Sequence, residues 1–283
     1  MKDNLKKALR TLQTSFPRLV ETKFAAMRFC RRKFRLLYEQ DFGALALFPD
    51  SSTTLLLDVG ANRGQSTDSM LLKTKNARIQ LFEPNPMLSD RLRELYQANE
   101  RVSVHRFGLG DNTVEQMLYI PYYRKWMFDG LASFDRDAAS MWLQSRVFFY
   151  RERYLSVQGV RTKIRRLDDL NLSPFFIKLD IQGYEFQALK GGEATIRTHE
   201  PILLIESPEE RIIDFLAVFG YRSYAFRRGV FFPGTCGDLN TFFMTASKSF
   251  YVKDRIAEGR TLTASKEGCV ALPVDGEPEI PGG

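Results

Sequence analysis

Leu55-Leu56-Leu57-Asp58-Val59-Gly60-Ala61-Asn62-Arg63-Gly64 decides how this chain is read. An apolar run ends in an acid and breaks into a turn bearing two glycines. Glycine tolerates positive φ and lets backbone approach a ligand closely. A buried strand, a glycine turn and a helix starting near residue 64 form a nucleotide-type corner at the carboxyl edge of a parallel sheet. Short glycine turns also end ordinary strands, so the corner needs a second element. Ala77-Arg78-Ile79-Gln80-Leu81-Phe82-Glu83-Pro84 supplies it: a second strand closed by proline. Glu83 follows Gly64 by 19 residues, a spacing that places a carboxylate to accept both hydroxyls of a ribose. The turn is not G-x-G-x-x-G, which argues against a nicotinamide or flavin site.

Further along, strands are predicted at 102–107, 175–181 and 202–206, with helices at 64–74, from Pro86, at 184–189 and at 209–219. Two final strands, 221–227 and 241–246, are expected to form an antiparallel pair. Gly108-Leu109-Gly110-Asp111 puts an acid in a turn at the same sheet edge. Between residues 119 and 160 the alternation stops. Tyr119, Tyr122, Tyr123, Trp126, Phe128, Phe134, Trp142, Phe148, Phe149, Tyr150 and Tyr154 are interleaved with arginines. This segment is read as a lid, with some of its rings packed as a small core of their own. Aromatic faces beside arginines suit a glycan or an acceptor bearing phosphate or carboxylate.

These blocks, DVGANRG, FEPNP, GLGD, IKLDIQGYE (Ile177–Glu185) and PILLIE (Pro201–Glu206), run in the order found in the FkbM family, which residues 53 to 225 resemble. The resemblance implies an α/β, Rossmann-like class I methyltransferase: a seven-stranded, mostly parallel sheet with helices on both faces. It implies S-adenosyl-L-methionine as cofactor and methyl transfer to a hydroxyl oxygen, on a sugar, glycan or glycolipid-type acceptor, or on a small natural product. Gln182 stands where the family usually carries Glu, which leaves room for a different reading: a binding or scaffold protein that keeps the fold without catalysis.

The site expected from these blocks uses Asp58, Gly60, Asn62, Gly64, Glu83 and Asp111 for the cofactor. Asp58 is expected to hold the corner by accepting backbone hydrogens, or to meet the cofactor's ammonium; Asp111 is read either as an adenine contact or as a plain turn residue. Methyl transfer from a sulfonium needs alignment and the loss of one proton from the hydroxyl. Asp180 is the leading base. Lys178, two residues earlier on the same strand face, either pairs with it or orients the acceptor, and pairing would lower its basicity. Glu185 is an alternative base or a brace for the following helix, and Glu206 a second acid of the crevice. His105 and His199 are read as structural.

The chain has 283 residues, enough for one substantial α/β domain with additions. Cys30, Cys236 and Cys269 form no C-x-x-C pair, and two histidines give no zinc spacing; no metal is expected, and reduced thiols are. With no run of about 18 apolar residues and no secretory pattern at the start, a cytoplasmic protein is expected. Residues 1–40 hold eleven Lys and Arg against three acids, although the whole chain carries only +7. Leucines and phenylalanines among those charges make residues 1–50 a basic amphipathic helical extension, split near Pro17. Two readings stay open: a helix docked on its own domain, or one lying on an acidic membrane face. No nucleic-acid module is recognisable. From 268 to 283, proline, glycine and glutamate predict a disordered tail.

Overall fold

The computed structural model describes Thr11, Thr14 and residues 16–141 and 148–257. Trp142 and the tail at 268–283 lie outside the described residues.

A parallel sheet buried on both faces needs strands that are apolar throughout. β1 (Leu55–Val59), β8 (Phe176–Leu179) and β9 (Ile202–Glu206) are of that kind, buried at nearly every position. With β2 (Arg78–Phe82) and β3 (Val102–His105) they stack in parallel. β10 (Arg222–Arg227), β11 (Val230–Pro233) and β12 (Asn240–Met244) complete the sheet in the order β11-β10-β12-β9-β8-β1-β2-β3. β12 runs antiparallel to both of its neighbours. The expected seven-stranded sheet is therefore present with one strand more. Val230–Pro233 folds back on β10 as an antiparallel edge strand, paired from Arg227↔Val230 to Tyr224↔Pro233. The hydrophobic run Val230-Phe231-Phe232 is too short to stand out in sequence, yet Phe231 is wholly buried.

Helices cover both faces. One core gathers Leu56, Ile79, Leu81, Phe176 and Leu204 with Met70 of α2 (Gln65–Lys73) and Leu92 of α3 (Pro86–Tyr96). The opposite core gathers Leu57, Val59, Ile177 and Leu203 with Leu189 of α5 (Glu185–Lys190), Ile196 of α6 (Glu193–His199) and Leu216 of α7 (Glu210–Ala217). The alternation of neighbours such as Leu56 and Leu57 between cores follows from the two-residue period of a strand.

The extension divides in two. α1 (Pro17–Phe34) begins with proline in its first turn, where a missing N–H costs nothing. The following 3-10 segment, Gln40–Leu47, drives Phe42, Ala44 and Leu45 into the first core, so it belongs to the domain's interior.

A second sheet, β4-β7-β5-β6, stands at the carboxyl edge. Its body is a long antiparallel pair of β5 (Val114–Tyr123) and β7 (Leu155–Arg165), flanked by β4 (Gly108–Leu109) and β6 (Trp126–Met127). Between its arms lie the short helix α4 (Arg136–Met141) and two small apolar clusters, one around Leu118, Ile120 and Met127, the other around Tyr123. Most described rings of the expected lid are spent there; Tyr123 packs against Tyr150 and Tyr154.

Candidate active site

Strand register assembles the site. Val59 pairs with Phe82 on one side and Leu179 on the other, and Leu179 pairs with Ile205. The next residue on each chain, Glu83, Gly60, Asp180 and Glu206, therefore stands in one row at the carboxyl edge. All four line a single cleft of about 990 Å³, together with Asn62, Lys178 and Glu185. Leu131 and Phe134 from between the arms of the second sheet close one side, and Tyr38 from the extension closes another.

Gly60 is required at its place. Its φ is +81°, and an added Cβ would lie 2.0 Å from the Asp180 carbonyl oxygen. The bare turn lets the ends of β1 and β8 meet. Asn62 also adopts a left-handed conformation, and its N–H donates to Glu83 Oε2 at 2.8 Å. Asn85 N–H donates to Glu83 Oε1 at 2.9 Å. Both glutamate oxygens are thereby fixed in a buried position. Lys178 Nζ, 5% exposed, lies 3.0 Å from Asp180 Oδ2 and 3.8 Å from Asp58 Oδ1. Gln182 Nε2 donates to Asp180 Oδ1 at 3.0 Å and to Glu206 Oε2 at 3.3 Å, tying the tips of β8 and β9 together.

Three residues expected at the cofactor do not line the cleft. Asp58 is fully buried beneath it, accepting from the Ser66 and Thr67 hydroxyls at 2.6 Å each. It anchors α2 through side chains, not through the backbone hydrogens expected, and its other oxygen has no hydrogen bond. Gly64, at the start of α2, serves packing. An added Cβ would lie 2.6 Å from the Tyr96 hydroxyl and 2.9 Å from Arg28 Nη2, so the missing side chain admits the extension. Asp111 sits in a turn whose backbone packs on Gly191, where a Cβ would lie 1.8 Å from the Gly110 oxygen; Gly108 and Leu109 line the cleft in its stead. Glu185 braces its loop: its oxygens accept from Ile181 N–H at 2.8 Å and Gly183 N–H at 2.9 Å. His105 stacks on Phe82 and meets Gln80, a packing role.

The Methyltransferase FkbM domain matches residues 58–223, more than half of the chain. The chain belongs to the FkbM methyltransferase family. Among solved structures it is similar to the FkbM methyltransferase of Methylobacillus flagellatus KT, at 20% identity over 73% of this chain and 46% of that one, with a TM-score of 0.46. It thus spans less than half of that relative. It is also similar to a precorrin-6y C5,15-methyltransferase from Geobacter metallireducens GS-15 (13% identity, 74% and 88% covered, TM-score 0.36) and to a putative rRNA-methylase from Clostridium thermocellum (9%, 72% and 93%, 0.41). No curated protein matches the chain.

The family's acids are unequal in this member. Burial pushes the Glu83 carboxyl up to about 7, against the pull of the Asn85 and Asn62 hydrogen bonds. Burial also works to raise Asp180, but the Lys178 ammonium and hydrogen bonds from Glu206, Lys178 and Gln182 outweigh it and hold Asp180 at about 2. Glu206 goes the other way, pushed up to about 8 by burial and by the hydrogen bond and charge of Asp180. At neutral pH the pair holds one proton, carried on Glu206 and shared with the Asp180 carboxylate. Lys178 stays charged, because Asp180 and Asp58 outweigh its burial.

Arg63 is a site residue that sequence reasoning missed. Its guanidinium donates to Asp129, which follows β6, and to Glu21 of α1 at 3.0 Å, and lies over the rings of Phe24 and Trp126. A lone charge inside a glycine turn is the one hint the sequence offers. Among the described residues, no cluster of His, Cys, Asp and Glu is arranged to hold a metal ion. Cys30 is a free, exposed thiol; Cys269 lies outside the described residues.

Proposed function

We propose that this protein transfers a methyl group from S-adenosyl-L-methionine to a hydroxyl oxygen of a carbohydrate-type acceptor. The observation that carries the proposal is the row Gly60, Glu83, Asp180 and Glu206 along one cleft. Its two halves suit two ligands. At the β1–β2 end, the close turn at Gly60 and the fixed carboxyl of Glu83 fit a ribose, because two acceptor oxygens meet two hydroxyl donors. At the β8–β9 end, Asp180, Gln182 and Glu206 offer acceptors to a hydroxyl-rich partner, and Phe134 offers a ring face to a sugar.

When bound, the donor supplies a methyl group already activated by the sulfonium charge. The protein's part is to align the acceptor oxygen and to take its proton. Asp180 is held at about 2 and is a weak base. A weak base suffices here, because the attacking oxygen becomes strongly acidic as its bond to carbon forms. Lys178 keeps Asp180 ionised and oriented until it takes that proton.

The test is incubation with methyl-labelled donor and glycan, glycolipid and small-molecule fractions, with products read by mass spectrometry as a gain of one CH₂. Asp180→Asn is expected to keep donor affinity while turnover falls by about two to four orders of magnitude, the usual range for a lost base. Full turnover in that variant would exclude Asp180. Absence of donor binding to the unmodified protein in calorimetry would favour the scaffold reading.

A further inference from the structure

The outward side of α1 has no part in the cleft. Its inward side is committed. Arg28 and Arg32 pair with Asp68 at 2.5 and 2.9 Å, Glu21 pairs with Arg63 and Arg91, and Phe24 lies against Arg63. At about 100° per residue, Lys23, Cys30, Lys33 and Phe34 fall on the other side, and Phe29 stands on the flank beside Arg32, at the rim of the groove between α1 and the domain. Phe29 and Phe34 are each 64% exposed, and Leu36 just beyond the helix is 54% exposed. The Lys33 ammonium lies 5.9 Å and 6.0 Å from the two phenylalanine centroids. From Phe16 to Tyr38 the sequence contains one acid, Glu21, which faces inward.

We propose that this face docks on an anionic lipid bilayer. Large apolar side chains grouped on a surface mark an interaction site. Here they alternate with cations and are free of acids, which is the composition of a helix lying in a bilayer interface. The rings enter the acyl boundary, and Lys23, Lys33 and Arg35 reach lipid phosphates through their flexible stems. A nucleic acid would satisfy the charges but leave Phe29, Phe34 and Leu36 in water. Among the described residues no helix is long and apolar enough to cross a membrane, so the contact is peripheral. Tyr38 and Phe24 of the same segment line the cleft, which brings its mouth beside the docked face. The attachment does not depend on the methyl-transfer reading.

Flotation of the full chain tests it, using vesicles of phosphatidylcholine alone or with about 30% phosphatidylglycerol, at low salt and near 0.5 M salt. The protein is expected to float with the anionic vesicles only, and to be released by salt. Lys23→Glu with Lys33→Glu is expected to lower the partition coefficient about tenfold or more, and Phe29→Ser with Phe34→Ser by a similar factor, with circular dichroism unchanged in both. An environment-sensitive dye on Cys30, controlled by a labelled Cys30→Ser protein, is expected to shift to the blue on vesicle binding. That readout needs no folded variant. Failure to float at low salt overturns the proposal, as do variants that float like the parent, or retention of an oligonucleotide by a protein that ignores vesicles.

Discussion

Glu83 and Glu206 end strands of the same sheet, and both are pushed up by burial, but for different uses. Glu83 is fixed by two backbone N–H groups, those of Asn62 and Asn85. In the proposed ribose role it would accept two hydroxyls in its ionised form, and burial pushes it up to about 7 before a ligand binds. Binding that needs the ionised form strengthens as pH rises through that value and weakens below it. Donor affinity is therefore expected to fall by approaching tenfold per pH unit below about 7. Calorimetry at pH 6, 7 and 8 measures this, and a flat profile would contradict the assignment. Glu83→Ala is expected to weaken donor binding by one to two orders of magnitude, about 1.5–3 kcal/mol for lost charged hydrogen bonds. Affinity equal to that of the parent would remove Glu83 from the site.

Among elements, the junction of α1, the glycine turn and the second sheet rests on Arg63. Its guanidinium is 6% exposed and meets Glu21 on one side and Asp129 on the other. Removing one member of a buried ion group strands the others, which costs more than the pair contributes. Asp129 is largely buried, whereas Glu21 is 43% exposed and recovers water. Arg63→Met is expected to destabilise the protein by about 2–3 kcal/mol in urea unfolding and to hasten proteolysis between residues 129 and 154. A digestion pattern identical to the parent's would show that α1 and the second sheet are held by other contacts. Asp68 repeats the theme: Arg28, Arg32 and Tyr96 converge on it, a second junction between the basic extension and its domain.

For the whole molecule, the balance of titrating groups sets how stability follows pH. Glu39, Asp41, Glu83, Glu185 and Glu206 are all raised, chiefly by burial. A raised acid holds its proton in the folded state after the unfolded chain has lost it. The folded state then binds more protons from near the ordinary carboxylate value up to about 7 for Glu83 and about 8 for Glu206, and stability falls as pH rises across that window. Asp180 works oppositely below it, its contribution being lost as pH falls from the usual aspartate range to about 2. The thermal midpoint is thus expected to peak at about pH 5. Glu206→Gln, which keeps an amide donor where the protonated acid stood, is expected to melt a few degrees higher than the parent at pH 9 and close to it at pH 5. A midpoint that rises steadily from pH 5 to pH 9 would refute this account.

The sequence alone determined the central parallel strands. Leu55–Val59, Phe176–Leu179 and Ile202–Glu206 could only be buried on both faces, and turns with Gly60, Glu83 and Asp180 just past three such strands mark one sheet edge. Periodicity and turn chemistry are local, so they survive in one dimension. Tertiary structure alone decided the remainder. It sent Asp58 beneath the cleft to hold α2, gave Gly64 to the packing of Arg28 and Tyr96, and turned Asp111 onto Gly191. It also brought Arg63 and Tyr38 to the site and paired Asp180 with Glu206. Those outcomes depend on which distant side chain arrives at the same place, and on the charge it carries into a buried space. Spacing along the chain records neither.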